Sequence, residues 1–315
     1  MTISENGPVP PAGLPNRLRR QVEMRLDQAW GLARNRFGRT PAVDEFDGDP
    51  RFALLTVNFS TTRYLKLMLL TLSEQEELGL LSRIVVADNR SRDGGRRFLQ
   101  RLSERVDRLH LVENRVFLSH ARGMRRALGE LDRVEAGLAA DERSNLLVFC
   151  DTDVIFRSHE VLLDLAASVI AHDAALVGEL RSLHGVPDVQ ASFFVVRRDV
   201  YGRRTVRPWV NHGSPAYWMQ RSIWRAGLTV VDFPSNQGGH ILHRGRAGVE
   251  AAAQFSPRHA YAKVERRAPH FMGVPDGARV WAATEERHER LLRVENEPAL
   301  IDHLADRFER FEAQA

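Results

Sequence analysis

The sequence has a single cysteine, very little lysine and no long apolar run. Because Cys150 is the only cysteine among 315 residues, an intramolecular disulfide is excluded and a cysteine-based zinc site is not expected. There is no stretch of about eighteen apolar residues, so the sequence predicts no transmembrane helix. The first residues have neither the basic nor the apolar region of a secretory signal. Together these absences predict a cytoplasmic protein.

Arginine supplies almost all of the positive charge. Of the 45 basic residues only Lys66 and Lys263 are lysines, and the 41 acidic residues leave a formal charge of +4. The two signs alternate along the chain, whereas nucleic-acid binders usually concentrate their basic residues on one face or segment. The charge pattern therefore argues against a nucleic-acid partner and fits a protein that binds small anionic substrates.

The first fifty residues are expected to precede the main domain. Residues 1–15 are rich in proline and glycine and are predicted to be disordered. Residues 16–50 are predicted to form an amphipathic helix that ends near Gly38, followed by a linker. The apolar stripe of this helix consists of Leu18, Val22, Leu26, Ala29, Ala33 and Phe37. The helix packs on the main domain or, as the alternative, contacts a membrane surface or a partner protein.

From residue 51 onward, short apolar runs alternate with amphipathic segments. Strands are predicted at 52–58, 83–88, 109–112, 145–150, 174–180, 190–196 and 228–233. Helices are predicted at 62–78, 94–105, 118–136 and 216–226. This alternation indicates an α/β fold with a Rossmann-like mixed, mainly parallel sheet flanked by helices. Residues 51–255 are assigned to this domain, and 256–315 to a C-terminal helical extension that is broken at Pro298.

Two carboxylates directly follow the apolar run 145–150. Asp151 and Asp153 are two residues apart, and alternate residues of an extended chain point to the same side. Ligands of parallel sheets bind at the carboxyl ends of the strands, and Mg²⁺ takes carboxylate oxygens together with substrate phosphate. We therefore interpret the pair as a site for Mn²⁺ or Mg²⁺ that neutralises a diphosphate leaving group. A solvated loop with two chance acids is the alternative.

A second polar segment, 86–94, follows the strand at 83–88. The carboxylate of Asp88 can accept hydrogen bonds from a nucleobase ring N–H and from ribose hydroxyls. The alternative is an ordinary strand-to-helix turn in which Ser91 or Asp93 caps the next helix. Both interpretations hold if Asp88 faces the ligand and Asp93 faces the helix.

Four segments, in this order and spacing, resemble the motifs of the family 2 glycosyltransferases. They are Val57-Asn58, the segment 86–94 (VADNRSRDG), Asn114 with His120-Ala121-Arg122-Gly123, and Asp151-Thr152-Asp153. The resemblance implies a GT-A-type fold in which residues 51–155 bind the nucleotide sugar and residues 156–255 bind the acceptor. It implies a UDP-, dTDP- or GDP-linked sugar as donor.

The same resemblance implies roles for single residues. Asp153 would be a catalytic residue and a metal ligand. Arg122 would lie near the diphosphate, unless it is a solvated helix arginine. The residues expected to contact the nucleotide are Val57, Asn58, Asp88, Arg122 and Asp151.

A glycine-rich segment, 238–245, contains two histidines. Family members often have a histidine at the end of a late strand, followed by glycine, and it can complete the metal site. His243 matches this pattern best, and His240 is the second candidate. The alternative is a glycine-rich turn with a surface histidine.

The acceptor side departs from the family pattern. The family usually carries an acidic pair as general base where this chain has Pro215 and Ala216. His212 lies close upstream and is the candidate base, because an imidazole is suited to proton transfer near neutral pH. A lone histidine beside Gly213 is, however, more often a structural turn residue. Ser192 and Trp209 lie where the acceptor pocket is expected, although an aromatic residue there is as often part of the core.

The expected function is metal-assisted transfer of a sugar from a nucleoside-diphosphate sugar to a small-molecule or glycan acceptor, with inversion and a non-standard base. Two alternatives stay open. A sugar nucleotidyltransferase would carry a glycine-rich loop after the first strand, where residues 58–63 contain no glycine. A non-catalytic nucleotide-sugar-binding relative would explain the missing acidic pair, but the intact Asp151 and Asp153 argue against it.

Overall fold

The computed structural model describes residues 16–37, 45–183, 186–211, 216–255 and 268–309. The segment predicted to be disordered, residues 1–15, lies outside these ranges, and so does the candidate base His212. The strands are β1 (Phe52–Asn58), β2 (Leu81–Asp88), β3 (Leu109–Glu113), β4 (Leu146–Cys150), β5 (Val154–Phe156), β6 (Leu176–Leu183), β7 (Val186–Arg197), β8 (Val230–Asp232) and β9 (Ile241–His243). The helices are α1 (Asn16–Phe37), α2 (Thr62–Leu72), α3 (Gly95–Ser103), α4 (His120–Val134), α5 (Val161–His172), α6 (Arg198–Gly202), α7 (Tyr217–Arg225), α8 (Ala247–Phe255), α9 (Gly277–Leu292) and α10 (Glu297–Glu309).

Seven strands form one sheet in the order β3-β2-β1-β4-β7-β6-β8. The pairs β1–β2, β1–β4, β2–β3 and β6–β8 are parallel. Strand β7 runs antiparallel to both of its neighbours, β4 and β6. Helices pack against both faces of the sheet. This arrangement confirms the predicted fold class, an α/β protein with a Rossmann-like mixed, mainly parallel sheet flanked by helices.

The parallel strands bring polar residues from distant parts of the chain to one edge. Asn58 at the end of β1 pairs in register with Asp88 at the end of β2, and Asp88 pairs with Glu113 of β3. Strand β4 lies on the other side of β1 and ends directly before Asp151. The carboxyl ends of four adjacent strands therefore form the floor of the candidate site.

The sheet separates two apolar layers. On one face, Leu54 and Val148 belong to a core that includes residues of α2, α3, α5 and α10. On the other face, Leu55 and Phe149 pack with residues of α4 and α7. All four side chains are fully buried, and each such burial contributes about 1.5–3 kcal/mol. The strand ends that carry the polar residues are thus fixed from both sides.

A two-stranded sheet that the sequence analysis did not predict connects the carboxylate loop to a distant segment. Strands β5 and β9 pair antiparallel, with Val154 opposite His243 and Phe156 opposite Ile241. Each strand has three residues, all buried, and so short a run shows no recognisable periodicity. The pairing places His243 beside the residue that follows Asp153.

Helix α1 contacts the domain through the face that carries Asp27 and Gly31. Val22 and Leu26 of the apolar stripe are 45% and 62% exposed, whereas Asp27 is 2% exposed and Gly31 lies against Val210. The helix therefore packs on the domain without burying Val22 and Leu26 of the predicted apolar stripe. The physical reason is the carboxylate of Asp27, which forms an ion pair with Arg125 of α4 and turns the polar face inward.

Helices α9 and α10 pack against α2 and α3, respectively. The Nζ atom of Lys66 in α2 lies 2.6 Å from Glu297, the first residue of α10. Pro298 is the second residue of α10, where proline is tolerated because its missing N–H would be unpaired in the first turn. The two C-terminal helices are therefore separated between Leu292 and Glu297, and not at Pro298 as the sequence analysis predicted. Within the described ranges no helix is long and apolar enough to cross a membrane.

Candidate metal and nucleotide site

Asp151, Asp153 and His243 meet at the carboxyl edge of the sheet. The Nε2 atom of His243 lies 3.2 Å from Oδ1 of Asp153 and 3.8 Å from Oδ2 of Asp151. One oxygen or nitrogen from each of the three residues can be chosen so that all lie within 4.8 Å of one another. These three side chains therefore form a group that can bind a divalent cation.

Backbone groups hold each member of this triad. The second carboxylate oxygen of Asp153 accepts a 3.0 Å hydrogen bond from the N–H of Ala247, the first residue of α8. The N–H of Asp151 donates to the carbonyl of Ser192 in β7 at 2.8 Å. The N–H of His243 donates to Oδ1 of Asn236 at 2.9 Å. The ligand positions are thus set by strands and a helix end, and the donor set is preorganised.

The side chain of Glu179 organises the turn that precedes β9. The carboxylate of Glu179, in β6, accepts hydrogen bonds from the backbone N–H and side chain of Asn236 and from the hydroxyl of Ser235. Asn236 in turn holds the backbone of His243. Glu179 was not singled out by the sequence analysis, because nothing in a strand sequence shows which later turn its side chain will bind.

The electrostatics of the triad are those of a cation site. Burial raises the pKa of Asp151, against the opposing effects of His120 and His243. Burial alone would also raise the pKa of Asp153, but His243 and the Ala247 N–H hold that pKa below its ordinary value. Burial lowers the pKa of His243, yet the two carboxylates outweigh it and raise that pKa. The two carboxylates thus favour a positive charge beside them, on the His243 imidazole or on a bound cation.

A buried polar cluster lies at the ends of β1 and β2. The amide Nδ2 of Asn58 donates to Oδ1 of Asp88 and to the hydroxyl of Ser91, each at 3.0 Å. The other carboxylate oxygen of Asp88 accepts the N–H of Ser91 at 3.1 Å. Burial raises the pKa of Asp88, and the Ser91 and Asn58 hydrogen bonds only partly offset this. Asn58 thus fixes the orientation of the Asp88 carboxylate.

Asp93 serves as a helix cap. Its carboxylate accepts hydrogen bonds from the N–H and hydroxyl of Thr62, at 2.8 and 2.7 Å, at the start of α2. It also accepts the N–H of Gly95, the first residue of α3, at 3.3 Å. A side chain at Gly95 would bring Cβ to 2.0 Å from the Thr62 hydroxyl, which explains the glycine. The structure therefore gives the capping role to Asp93 and leaves Asp88 as the candidate ligand residue.

One hydrogen bond joins the two clusters. The hydroxyl of Thr61 lies 2.9 Å from that of Thr152, which stands between the two aspartates. The same Thr61 hydroxyl donates to Oδ1 of Asn58 at 2.9 Å. A chain of hydrogen bonds through Thr61 thus connects the Asp88 cluster to the segment that carries Asp151 and Asp153.

The structure separates the two candidate histidines. The Nδ1 atom of His240 lies 3.1 Å from Asp164 of α5, while His243 joins the aspartates. The side chain of Val57 is buried, and it would touch a Cβ at Gly123 of α4 at 2.9 Å. Any contact of Val57 with a nucleotide would therefore involve its backbone.

Arg122 and Trp209 make contacts that the sequence analysis did not predict. The guanidinium of Arg122 pairs with Asp27 of α1, with Nε 3.3 Å from Oδ1. Trp209 has no exposed surface and packs on Phe149 and Phe194 with ring centroids 5.1 and 6.0 Å apart. Its expected acceptor role is corrected to core packing, because no part of the ring reaches solvent.

Two further histidines border the triad. Nε2 of His120, at the start of α4, lies 3.8 Å from Asp151. The ring of His270 stands perpendicular to that of His243, with centroids 5.7 Å apart. His270 belongs to the region after α8, which the sequence analysis treated as a helical extension without a site role. No local pattern marks it, because it approaches the site only through tertiary packing.

Comparisons with known proteins identify similar solved structures only. No protein-family model matches the chain, and no curated protein matches it. Similar structures include a mannosyltransferase from Pyrobaculum calidifontis in complex with GDP-Man and Mn²⁺. The two chains are 15% identical, the alignment covers 95% of this chain and 85% of that chain, and the TM-score is 0.46. Another is S. aureus TarS 1-349 in complex with UDP-GlcNAc, with 12% identity, coverage of 84% and 91%, and a TM-score of 0.44.

A third similar structure is glucosyl-3-phosphoglycerate synthase from Mycobacterium tuberculosis in complex with Mn²⁺, UDP and glucosyl-3-phosphoglycerate. It has 14% identity, coverage of 76% of this chain and 87% of that chain, and a TM-score of 0.45. Likeness at this level assigns no substrate or activity to the chain. The functional argument depends on the geometry of the site.

Proposed function

We propose that this chain is a metal-dependent glycosyltransferase of the family 2 type. It would transfer a sugar from a UDP-, dTDP- or GDP-linked donor to a hydroxyl group of a small-molecule or glycan acceptor. The observation that carries the proposal is the placement of the Asp151, Asp153 and His243 triad beside the buried Asp88 cluster at one sheet edge. The single cysteine of the chain, Cys150, is buried and fits a reducing compartment, so we propose that the protein is cytoplasmic.

The triad would hold Mn²⁺ or Mg²⁺. Two carboxylate oxygens and one imidazole nitrogen are a suitable donor set for these cations, and a third of the Asp151 side chain is exposed toward possible ligands. When bound, the cation would neutralise the charge of a diphosphate leaving group. Asp153, held by the Ala247 N–H, would be the ligand on which metal affinity depends most.

The Asp88 cluster would recognise the nucleotide. Asp88 has one carboxylate oxygen oriented by Asn58 and the other by the Ser91 N–H. A carboxylate oxygen can accept more than one hydrogen bond, which suits recognition of a nucleobase N–H or a ribose hydroxyl. Residues 51–155 would thus bind the nucleotide sugar, and residues 156–255 would supply the acceptor side together with the metal ligand His243.

His212 is the proposed general base of an inverting transfer. Its neighbour Asn211 donates its backbone N–H to Asp27 of α1 at 2.5 Å, so the chain just before His212 is held in place. The fully buried Ala216 offers no acidic side chain where the family usually has one. An imidazole base would contribute roughly a hundredfold or more to the rate. Ser192, whose carbonyl accepts the Asp151 N–H, is the proposed acceptor-side residue nearest the triad.

The test is slow hydrolysis of the donor, which needs no knowledge of the acceptor. Purified protein incubated with UDP-, dTDP- and GDP-linked sugars should release the nucleoside diphosphate in the presence of Mn²⁺ for at least one donor. Chelator should abolish this release, and so should Asp153→Ala. Release that is unchanged by either treatment would contradict the metal-dependent mechanism.

The absence of a carboxylate at Ala216 also fits a second function, a protein that binds nucleotide sugars without turning them over. Such a protein would bind the diphosphate with metal but release no product from any donor. Binding without turnover in the hydrolysis test, and no transfer to any hydroxyl compound, would favour this second function over catalysis.

A further inference from the structure

Helix α1 presents an apolar surface to solvent. Of the nine large apolar side chains that are exposed in the described ranges, four lie on this one helix within eleven residues. They are Val22, Leu26, Trp30 and Leu32. Single exposed apolar residues are ordinary, but a cluster of this kind on one element marks an interaction surface.

The helix is attached to the domain by polar contacts. The carboxylate of Asp27 lies 2.7 Å from Arg125 and 3.3 Å from Arg122 of α4, and it accepts the N–H of Asn211. An amphipathic helix that served only the fold would bury its apolar stripe and expose its charges. Here the carboxylate of Asp27 is buried, whereas Val22 and Leu26 of the predicted stripe are 45% and 62% exposed. The orientation therefore favours a second surface that covers the stripe.

The charge of the helix limits what that surface can be. The sequence of α1 contains six arginines and two acidic residues, and Asp27, one of the two, is already neutralised by Arg122 and Arg125. Arg25, beside Leu26, is exposed. Two copies of this helix packed face to face would bring like charges together. An anionic surface with an apolar interior satisfies both the arginines and the apolar side chains.

We propose that α1 is an interfacial anchor that lies on an anionic lipid surface, with Val22, Leu26 and Leu32 in contact with the acyl boundary. The Asp27 ion-pair cluster holds the domain on the opposite side of the helix. Trp30 lies at the rim of this surface, because its ring also stacks on the guanidinium of Arg125, 4.1 Å from the ring centroid. The inference is independent of the proposed catalytic function.

Flotation with lipid vesicles tests the anchor. The full chain should float with vesicles of phosphatidylcholine and phosphatidylglycerol, much less with phosphatidylcholine alone, and less as salt is raised. Leu26→Glu should lower the partition coefficient about tenfold or more, since an apolar contact is lost and a negative charge is added. Arg25→Glu should lower it for the anionic vesicles in particular. The matched control is Ile170→Glu, which alters a 50% exposed apolar residue on α5 and should bind as the parent does.

Other outcomes would overturn the proposal. Equal flotation of the parent and Leu26→Glu would place the lipid contact elsewhere, and absence of flotation would remove it. Light scattering that shows a dimer of the parent and a monomer of Leu26→Glu, without vesicle binding, would assign the stripe to a second copy of the chain. Circular dichroism that matches between parent and variants confirms that the comparison is between folded proteins.

Discussion

Val154 and His243 lie opposite each other in a two-stranded antiparallel sheet, and this pairing sets the distance between Asp153 and the His243 imidazole. The three-residue strands bring together ligands that are ninety positions apart in the chain. One more backbone hydrogen bond joins the residue before β5 to the residue after β9, because the Arg244 N–H donates to the Asp153 carbonyl at 2.9 Å. The candidate metal site is therefore built by strand pairing and does not depend on a flexible loop.

Replacement of His243 by Ala should weaken Mn²⁺ binding by at least about tenfold, because one of three protein ligands is removed. His240→Ala provides the matched control, since His240 lies nearby but pairs with Asp164 and takes no part in the triad. Calorimetric titration with Mn²⁺ measures both. Equal losses in the two variants, or a larger loss in His240→Ala, would mean that the wrong histidine has been assigned.

Asp88→Asn should weaken nucleoside-diphosphate binding by roughly 1.5–3 kcal/mol, because an acceptor of a charge-assisted hydrogen bond becomes a donor. Glu113→Gln is the control. Glu113 pairs with Asp88 in the sheet register, but its side chain binds Gln100 at 2.5 Å. Calorimetry with the diphosphate in excess Mn²⁺ is the measurement. An unaltered dissociation constant for Asp88→Asn would move the nucleotide pocket away from β2.

Asp27→Asn should destabilise the protein by up to about 3 kcal/mol, because the two arginines and the Asn211 N–H lose a buried anionic partner. Burial works against ionisation of Asp27, but the hydrogen bonds from Arg125, Asn211 and Arg122 hold its pKa below the ordinary value. A depressed carboxyl pKa stabilises the fold above the unfolded value, about 3.9, and this stabilisation is lost as pH falls through the folded value.

The difference in melting temperature between parent and Asp27→Asn should therefore be constant from neutral pH to about pH 4 and narrow in stronger acid. Asp302→Asn is the control, since the exposed Arg105–Asp302 pair at 2.9 Å should contribute less than about 1 kcal/mol. Two results would show that the buried carboxylate does not hold α1. The difference in melting temperature for Asp27→Asn would stay constant into strong acid, or it would equal the difference for Asp302→Asn.

Gly95→Ala should destabilise the protein by about 1–3 kcal/mol, because the new Cβ would lie 2.0 Å from the Thr62 hydroxyl and disturb the Asp93 cap. Gly129→Ala, in α4, meets no atom within 4 Å and should stabilise it by about 0.5–1 kcal/mol through helix propensity. Thermal unfolding of both variants checks the contrast. Similar shifts of the same sign in both would show that the contact at Gly95 is relaxed in solution.

Much of the fold follows from local patterns. The apolar runs before Asn58, Asp88 and Asp151 predicted buried strands, and parallel pairing then brings those three residues to one edge. The preference for His243 over His240 depended on the resemblance to a family pattern, because both lie in one glycine-rich segment and only the register of β9 separates their positions.

The face through which α1 packs on the domain could not be predicted from the sequence either. Helical periodicity identifies an apolar stripe but carries no information about which surface covers it. That depends on a tertiary contact, the pairing of Asp27 with Arg125 across nearly a hundred residues. For the same reason the approach of His270 to His243 could not be inferred from either local segment.

The most direct test of the central claim is the effect of Mn²⁺ on nucleoside-diphosphate affinity, measured by calorimetry with UDP, dTDP and GDP. For at least one of them, Mn²⁺ should tighten binding to the parent by about tenfold or more, and Asp153→Ala should remove that gain while keeping the weaker metal-free binding. Binding of no diphosphate by the parent, or a Mn²⁺ effect that is the same in the parent and in Asp153→Ala, would contradict a metal-assisted nucleotide-sugar site at this edge of the sheet.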